Sequence, residues 1–141
     1  MSNASVHPTL AQWHTVAKAQ DVKALYAMLA DDAVFYSPVV HTPQVGKKIT
    51  HQYLAAAFQV FMNDSFRYVR EVCNDSGAIL EFEVTLDGIA VNGVDMMRWN
   101  EVGQIIEFKV MLRPLKAVNL IHQKMGEMLA AHKNGVENKN S

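Results

Sequence analysis

Residues 80–86 read Leu80-Glu81-Phe82-Glu83-Val84-Thr85-Leu86, with apolar and polar side chains in strict alternation. Successive side chains of a β-strand point to opposite faces, so this pattern predicts a strand that is buried on one face only. Residues 106–113 alternate in the same way, and turn residues at 87–88 and 100–103 separate the segments. The sequence therefore predicts an antiparallel meander over residues 66–113.

Helical patterns precede and follow this meander. Apolar residues at helical spacing predict three helices before residue 63, of which the third runs from about Lys48 to Met62, and a short strand over Ala33–Tyr36. Pro114 can open a final helix with an apolar side that reaches Leu129. This order predicts one α+β domain over residues 1–141, with a core at about 8–131 and frayed termini.

Composition narrows the functional classes. The chain has 141 residues, 13 Lys and Arg against 14 Asp and Glu, and no basic block of the kind that binds nucleic acid. Its single cysteine, Cys73, and six scattered histidines match no metal-binding spacing, so we expect neither metal nor cofactor. No apolar run approaches about 18 residues and residues 1–5 lack a signal pattern. We expect a soluble cytoplasmic protein without a membrane segment.

Asp95 is the main candidate for chemistry. It lies in Gly93-Val94-Asp95-Met96-Met97-Arg98-Trp99, where alternation places it on one face with Met97 and Trp99. A carboxyl group among apolar neighbours should have a raised pKa, and in its neutral form it can donate a hydrogen bond. The alternative is a structural carboxylate paired with an arginine or with backbone groups at a strand end.

The same face supplies a possible pocket wall, which Trp13 and Tyr53 could close from the helices. The alternative for most of these residues is an ordinary core. The strand residues predicted to share the face with Asp95 are Leu80, Phe82, Val84, Met97, Trp99, Phe108, Val110 and Leu112.

Several short segments occur in an order and spacing that resemble the nuclear transport factor 2-like superfamily, in particular its SnoaL-like and ketosteroid isomerase-related members. The resemblance covers about residues 8–115. It implies a cone-shaped, cystatin-like α+β barrel, in which a curved sheet and helices enclose an apolar cavity, and often a homodimer. The segments are Leu29-Ala30-Asp31-Asp32-Ala33-Val34, Ser37-Pro38-Val39, Gly46-Lys47-Lys48-Ile49, Val94-Asp95-Met96-Met97-Arg98-Trp99-Asn100, Gly103-Gln104-Ile105 and Leu112-Arg113-Pro114-Leu115.

The resemblance to ketosteroid isomerase implies roles for three positions. The oxyanion-hole aspartate matches Asp95, the catalytic base falls on Ser37, and the oxyanion-hole tyrosine falls near Trp13. The resemblance therefore implies that Ser37 also lines the pocket. A serine hydroxyl is too weak a base to abstract a carbon-bound proton unaided, so ordinary ketosteroid isomerase activity is not expected. Trp13 can still donate through its indole N–H.

Other relatives imply other site groups. A dehydratase of the scytalone type would need an internal histidine, for which His14, His41 and His51 are candidates without a compelling position. An epoxide hydrolase would need an internal Asp–Arg–Asp group, but alternation places Arg98 on the face opposite Asp95. A SnoaL-type cyclase needs little more than one acid in a shaped cavity, a role that Asp95 could fill.

Three functions remain open at this point. The first is an isomerase, cyclase or dehydratase that acts without a cofactor on a small carbonyl or polyketide-like compound and uses Asp95 as acid or base. The second is a non-catalytic protein that binds a small apolar molecule in the same cavity. The third is a dimeric protein-interaction module. Met96 and Met111 on the outer face of the sheet predict a homodimer through that face.

Overall fold

A computed structural model describes the backbone of residues 7–140 and the side chains of residues 7–131. Both termini were expected to fray, and of these segments residues 1–6 and Ser141 lie outside the described part. The rest of the C-terminal segment is helical instead, because the last helix extends to Asn140. The elements, in chain order, are α1 (Pro8–Ala19), α2 (Val22–Met28), β1 (Leu29–Tyr36), β2 (Gln44–Val45), α3 (Lys47–Phe61), β3 (Arg67–Asn74), β4 (Gly77–Leu86), β5 (Ile89–Trp99), β6 (Ile105–Arg113) and α4 (Leu115–Asn140).

The predicted α+β class is confirmed, with one correction to the sheet. The six strands of the sheet lie in the order β2-β1-β6-β5-β4-β3. The sheet is open, because β2 and β3 at its two edges do not pair with each other. The meander β3–β6 is antiparallel, but β1 runs parallel to β6 and begins at Leu29, four residues before the predicted strand. A parallel pair requires a long connection, which α3 and the strands β3–β5 provide.

The predicted faces of β4 are confirmed. Phe82 and Val84 are 2% and 3% exposed and face the helices, whereas Glu81 and Glu83 lie on the outer face and form ion pairs across to β3. A register slip of one residue would have placed these two carboxylates in the core.

The predicted alternation in β6 needs a correction at its start. The register shifts between Arg98 and Trp99, so that Arg98 lies opposite Glu107 but Trp99 lies opposite Ile105. Ile105 is consequently fully buried and Ile106 only partly, although the alternation had placed Ile106 inside. A bulge of this kind adds one residue to one strand and bends the sheet.

Two apolar clusters fill the inner side of the sheet. The first lies beneath α1 and α2 and includes Trp13, Met97 and Phe108. The second lies beneath α4 and the end of α3 and includes Phe61 and Phe82. Among the described residues, no helix is long and apolar enough to cross a membrane.

Candidate functional site

Asp95 lies at the centre of β5 and points to the inner side of the sheet. Leu80 on β4 and Val110 on β6 are its register partners, and the residue is 7% exposed. Burial raises the pKa of Asp95 to about 7, because desolvation penalises the charged carboxylate. Within residues 7–131, no lysine, arginine or histidine forms an ion pair with it. The alternative of an arginine-paired structural carboxylate therefore does not apply.

Tyr68 on β3 completes a hydrogen-bonded chain with Asp95. Its hydroxyl donates to Oδ2 of Asp95 at 2.7 Å and accepts from Nε1 of Trp13 at 3.1 Å. Burial, followed by the nearby carboxylate of Asp95, raises the pKa of Tyr68 well above its usual value, so the phenol keeps its proton. The hydrogen bond from Tyr68 favours the charged form of Asp95 and so acts in the opposite direction to burial. It lowers the pKa of Asp95, but by less than burial raises it.

Sequence reasoning missed Tyr68, because β3 lacks a continuous alternation. The register with β4 shifts between Tyr68 and Arg70, which leaves Val69 and Val72 on exposed positions. The available signal was short: two aromatic residues, Phe66 and Tyr68, on either side of a charged Arg67. That spacing predicts one inward-facing aromatic face at the start of the strand.

A small cavity of about 40 Å³ lies beside the Tyr68–Asp95 pair. No side-chain oxygen or nitrogen in the described part of the chain is both fully buried and without a partner. Oδ2 of Asp95 accepts from Tyr68, whereas the second carboxyl oxygen has no hydrogen-bond partner among the described residues and is therefore not fully buried. The volume suits one or a few waters, and a larger molecule requires side chains to move. The other walls are mostly apolar and include Trp13, Phe58, Phe61, Phe82, Phe108 and Val110.

The residues predicted for the pocket separate into three groups. Trp13, Phe82, Phe108 and Val110 line the cavity with Asp95. Ser37 and Tyr53 line a neighbouring space of about 160 Å³, which Val110 also borders. The remaining predicted residues line neither space: Met97 and Trp99 belong to the first apolar cluster, and Val84 and Leu112 lie in or against the second.

The reason for this separation is distance along the strands. Residues on one face of a strand are about 7 Å apart at every second position, so a shared face does not imply a shared cavity. Trp99, four residues from Asp95, instead donates its indole N–H to the backbone oxygen of Asp75 at 2.7 Å.

The groups expected of other relatives lie elsewhere. His14 pairs with Glu71 at 2.9 Å, and His51 contacts the backbone oxygen of Val22 at 2.7 Å. His41 is exposed in the loop after β1, and Arg98 pairs with Glu107 on the outer face. The described residues contain no group of three or more His, Cys, Asp or Glu side chains that could hold a metal ion.

Comparison with known proteins identifies the family. The SnoaL-like domain model matches residues 10–108, and the chain therefore belongs to the SnoaL-like family. No curated protein matches the chain.

Two solved structures resemble the protein over most of its length. A steroid delta-isomerase from Pseudomonas aeruginosa is 32% identical, with a TM-score of 0.83 over 89% of this chain and 92% of that one. An uncharacterized protein with a cystatin-like fold from Silicibacter pomeroyi is 27% identical, with a TM-score of 0.87 over 99% and 98% of the two chains.

A third structure shares the fold alone. It is an epoxide hydrolase/cyclase-like enzyme of pyran ring formation in polyether salinomycin. This enzyme is 16% identical, with a TM-score of 0.60 over 74% of this chain and 88% of that one.

Proposed function

We propose that this protein binds a small apolar molecule that carries a carbonyl or similar oxygen, and that Asp95 exchanges a hydrogen bond or a proton with that oxygen. The observation that carries the proposal is the Tyr68–Asp95 pair on the wall of an otherwise apolar cavity. A hydrogen-bonding pair in apolar surroundings is typical of sites that orient a small ligand by one polar group.

The chemistry of the pair follows from its protonation. Since the pKa of Asp95 is about 7, a large fraction of the carboxyl groups carries a proton near neutral pH. The protonated oxygen can donate to a ligand carbonyl while Oδ2 still accepts from Tyr68. A donor placed in this way stabilises negative charge that develops on the carbonyl oxygen.

The set of groups favours some reactions over others. Apart from Asp95 and Tyr68, no residue that lines the cavity, among those described, is titratable. A reaction that needs a separate carboxylate base is therefore not supported, whereas a cyclisation or isomerisation assisted by one acid is. Similarity to a steroid delta-isomerase and to an epoxide hydrolase/cyclase-like enzyme is consistent with chemistry at a carbonyl or epoxide oxygen.

The two tryptophans provide a direct test of binding. The indole N–H of Trp13 bonds to Tyr68, whereas that of Trp99 bonds to the backbone of Asp75. Titration with acetophenone, followed in a ¹H–¹⁵N spectrum, should shift the indole signal of Trp13 and leave that of Trp99. Asp95→Leu and Tyr68→Phe should each weaken binding about tenfold, as expected for loss of a hydrogen bond to the ligand or of its support. Equal shifts of both indole signals, or unchanged affinity in Asp95→Leu, would refute the site.

Asp95→Asn separates catalysis from binding, because its amide can still donate a hydrogen bond but cannot transfer a proton. If Asp95 acts as an acid, a substrate that this protein converts should react far more slowly with Asp95→Asn than its change in affinity explains. If a ligand binds through Asp95 and dissociates without chemical change, the protein is the alternative, a non-catalytic binding protein.

A homodimer through the outer face of the sheet is a second proposal, on a separate observation. Val72, Ile79 and Met96 form a row across three strands of this face, and Val72 and Ile79 are 62% and 45% exposed. Neighbouring charges on the face already pair with each other, as Arg70 does with Glu81 at 3.2 Å. Contact with a second copy would cover apolar groups without leaving these charges unpaired.

A further inference from the structure

The space beside Ser37 and Tyr53 adjoins the cavity that holds Asp95. We call the cavity of about 40 Å³ the inner chamber and the space of about 160 Å³ the outer chamber. Ala57, Phe61 and Val110 line both chambers and therefore stand between them. Phe61 is the only aromatic residue of the three, so its ring is the largest side chain between the two chambers.

The outer chamber offers apolar contacts. It lies between the loop after β1 and the side of α4 that carries Ile121, Met125 and Leu129. Its hydroxyl group on Ser37 is already engaged, since it accepts from the backbone N–H groups of Val39 and Val40 at 3.1 and 3.3 Å. Most of the lining residues are apolar, so the chamber is suited mainly to hydrocarbon, and its polar groups are confined to Ser37, Tyr53 and His122.

The surface on the other side of the inner chamber differs in character. Met62, Phe66 and Tyr68 separate the inner chamber from a shallow depression that also includes Lys18 and Arg67. An apolar extension of a ligand would meet charged side chains in that direction. The route toward α4 is the apolar one.

Gly126 marks the rim of the outer chamber. It lies within α4, where glycine is unfavourable, and a Cβ at this position would meet no atom within 4 Å. Local packing thus does not require a glycine, and the absence of a side chain leaves the rim open. His122 also lines the chamber and is exposed at the same rim.

From this arrangement we infer that the outer chamber receives the distal, apolar part of an elongated ligand whose oxygen meets Asp95. Residue 126 then limits the length of ligand that fits. The inference rests on the proposed function, because it assumes that the oxygen-bearing end binds in the inner chamber. It assigns the ligand to a class: an apolar molecule longer than one ring, with a carbonyl at one end.

Two ligands with the same polar end test the inference. Acetophenone presents its carbonyl on one ring, and 4-acetylbiphenyl adds a second ring in line with the first. Affinities for both are measured by calorimetry, with the indole signal of Trp13 as the local reporter. The proteins are the full chain, Gly126→Ala, Gly126→Leu and the control Gln123→Leu, which adds a leucine at an exposed position of α4 outside both chambers.

The unmodified protein should bind 4-acetylbiphenyl at least about tenfold more tightly than acetophenone, because the second ring is removed from water. Gly126→Leu should abolish this preference and leave the affinity for acetophenone within about twofold. Gly126→Ala should have a smaller effect and Gln123→Leu none. Because leucine favours the helix over glycine, the melting temperature of Gly126→Leu should not fall, which separates a blocked chamber from a damaged fold.

The failures of the two proposals are distinguishable. If neither ligand binds the unmodified protein, the proposed function fails. If both bind through Asp95 with equal affinity, or if Gly126→Leu leaves the preference for 4-acetylbiphenyl intact, the outer chamber does not hold the distal ring and only the further inference fails. An equal loss of affinity for both ligands in Gly126→Leu also overturns it.

Discussion

The hydroxyl of Tyr68 lies 2.7 Å from Oδ2 of Asp95, although the two residues belong to strands that are not neighbours. β4 runs between them: Tyr68 lies opposite Phe82, and Phe82 lies opposite Gly93, two residues before Asp95. The long phenol side chain spans this diagonal over the inner face of the sheet. The hydrogen bond connects an edge strand to the centre of the sheet. Two opposing effects therefore act on the pKa of Asp95: burial raises it and the hydrogen bond from Tyr68 lowers it.

The first prediction concerns the pH dependence of stability. The pKa of Asp95 rises from an ordinary value of 3.8 to about 7 in the folded protein. Below about pH 4 the carboxyl is protonated in both states, and between about pH 4 and 7 the folded state binds more protons than the unfolded one. The free energy of unfolding therefore falls across this window, by about 4 kcal/mol in total for a shift of this size.

Asp95→Asn should remove this dependence, because an amide does not titrate in this range. We expect the variant to be at least as stable as the unmodified protein at pH 8 and to show a flatter profile between pH 4 and 8. Denaturant unfolding at steps of half a pH unit measures both curves. A variant that is less stable only at neutral pH would indicate that Asp95 is a charged structural partner.

The second prediction concerns Tyr68→Phe. The substitution removes the donor that lowers the pKa of Asp95, so this pKa should rise further. It also leaves the indole N–H of Trp13 without its partner, which should cost about 1–3 kcal/mol of stability. Carboxyl ¹³C shifts of Asp95 measure the pKa, and denaturant unfolding measures the stability.

Tyr26→Phe is the matched control, because the ring of Tyr26 is 43% exposed and its hydroxyl makes no hydrogen bond to a described residue. It should change the free energy of unfolding by less than about 0.5 kcal/mol. Equal losses in both variants would argue that the phenol of Tyr68 has no special role.

The third prediction is the absence of appreciable 3-oxo-Δ5-steroid isomerase activity. Ser37 lies where the resemblance places the catalytic base. Its hydroxyl oxygen accepts hydrogen bonds from the backbone N–H groups of Val39 and Val40. Turnover should lie well below the range of about 1–10³ per second that is typical of enzymes. The steroid delta-isomerase from Pseudomonas aeruginosa, assayed alongside, is the positive control. A rate within the typical range would imply another base.

The fourth prediction concerns assembly. Light scattering at micromolar concentration should give the mass of a dimer, and Ile79→Glu should shift it toward the monomer by placing a charge in the apolar row of the outer face. Val102→Glu is the control, since Val102 is 79% exposed in the turn between β5 and β6. A monomer in the unmodified protein, or equal effects of the two variants, would contradict an interface on this face.

The inner face of the sheet could be predicted from sequence because period-2 alternation has a direct physical meaning. A slip in β4 would bury Glu81 and Glu83, so the pattern allows only one register. The inward direction and the raised pKa of Asp95 followed from the same parity. The inward direction of Ile105 could not be predicted, because a bulge shifts the alternation at this point and no residue type in the sequence indicates the bulge.

The site could be predicted only in part, since a cavity depends on distances between elements. Trp13 lines the cavity with Asp95, but it was predicted there through resemblance and face rather than through its contact with Tyr68. Tyr53 was assigned to the same cavity, yet it stacks on Phe35 and faces the outer chamber. Helix α3 contributes to both chambers, and the sequence does not reveal where along the helix one ends.

The last prediction compares one substitution at two glycines. A Cβ at Gly93 would lie 2.5 Å from Cζ of Phe82 and 2.8 Å from the backbone oxygen of Met111. The aromatic ring can shift a little, but the backbone of β6 is held by its pairing with β5. Gly93→Ala should therefore destabilise the protein by about 1–3 kcal/mol, the usual cost of an overpacked core. Since Gly93 lies two residues before Asp95, the change should also move the indole signal of Trp13.

Gly126→Ala adds the same methyl group to open space within α4 and should stabilise the protein by up to about 1 kcal/mol. The two changes in the free energy of unfolding should have opposite signs. Both variants reduce the conformational entropy of the unfolded chain in the same way, so the difference in sign reports the surroundings of each glycine in the folded protein. Thermal and denaturant unfolding of the two variants measure the difference. If both substitutions stabilise the protein, the sheet around Gly93 yields more readily than its backbone contacts indicate. If both destabilise it, Gly126 faces a packed surface rather than the open rim of the outer chamber.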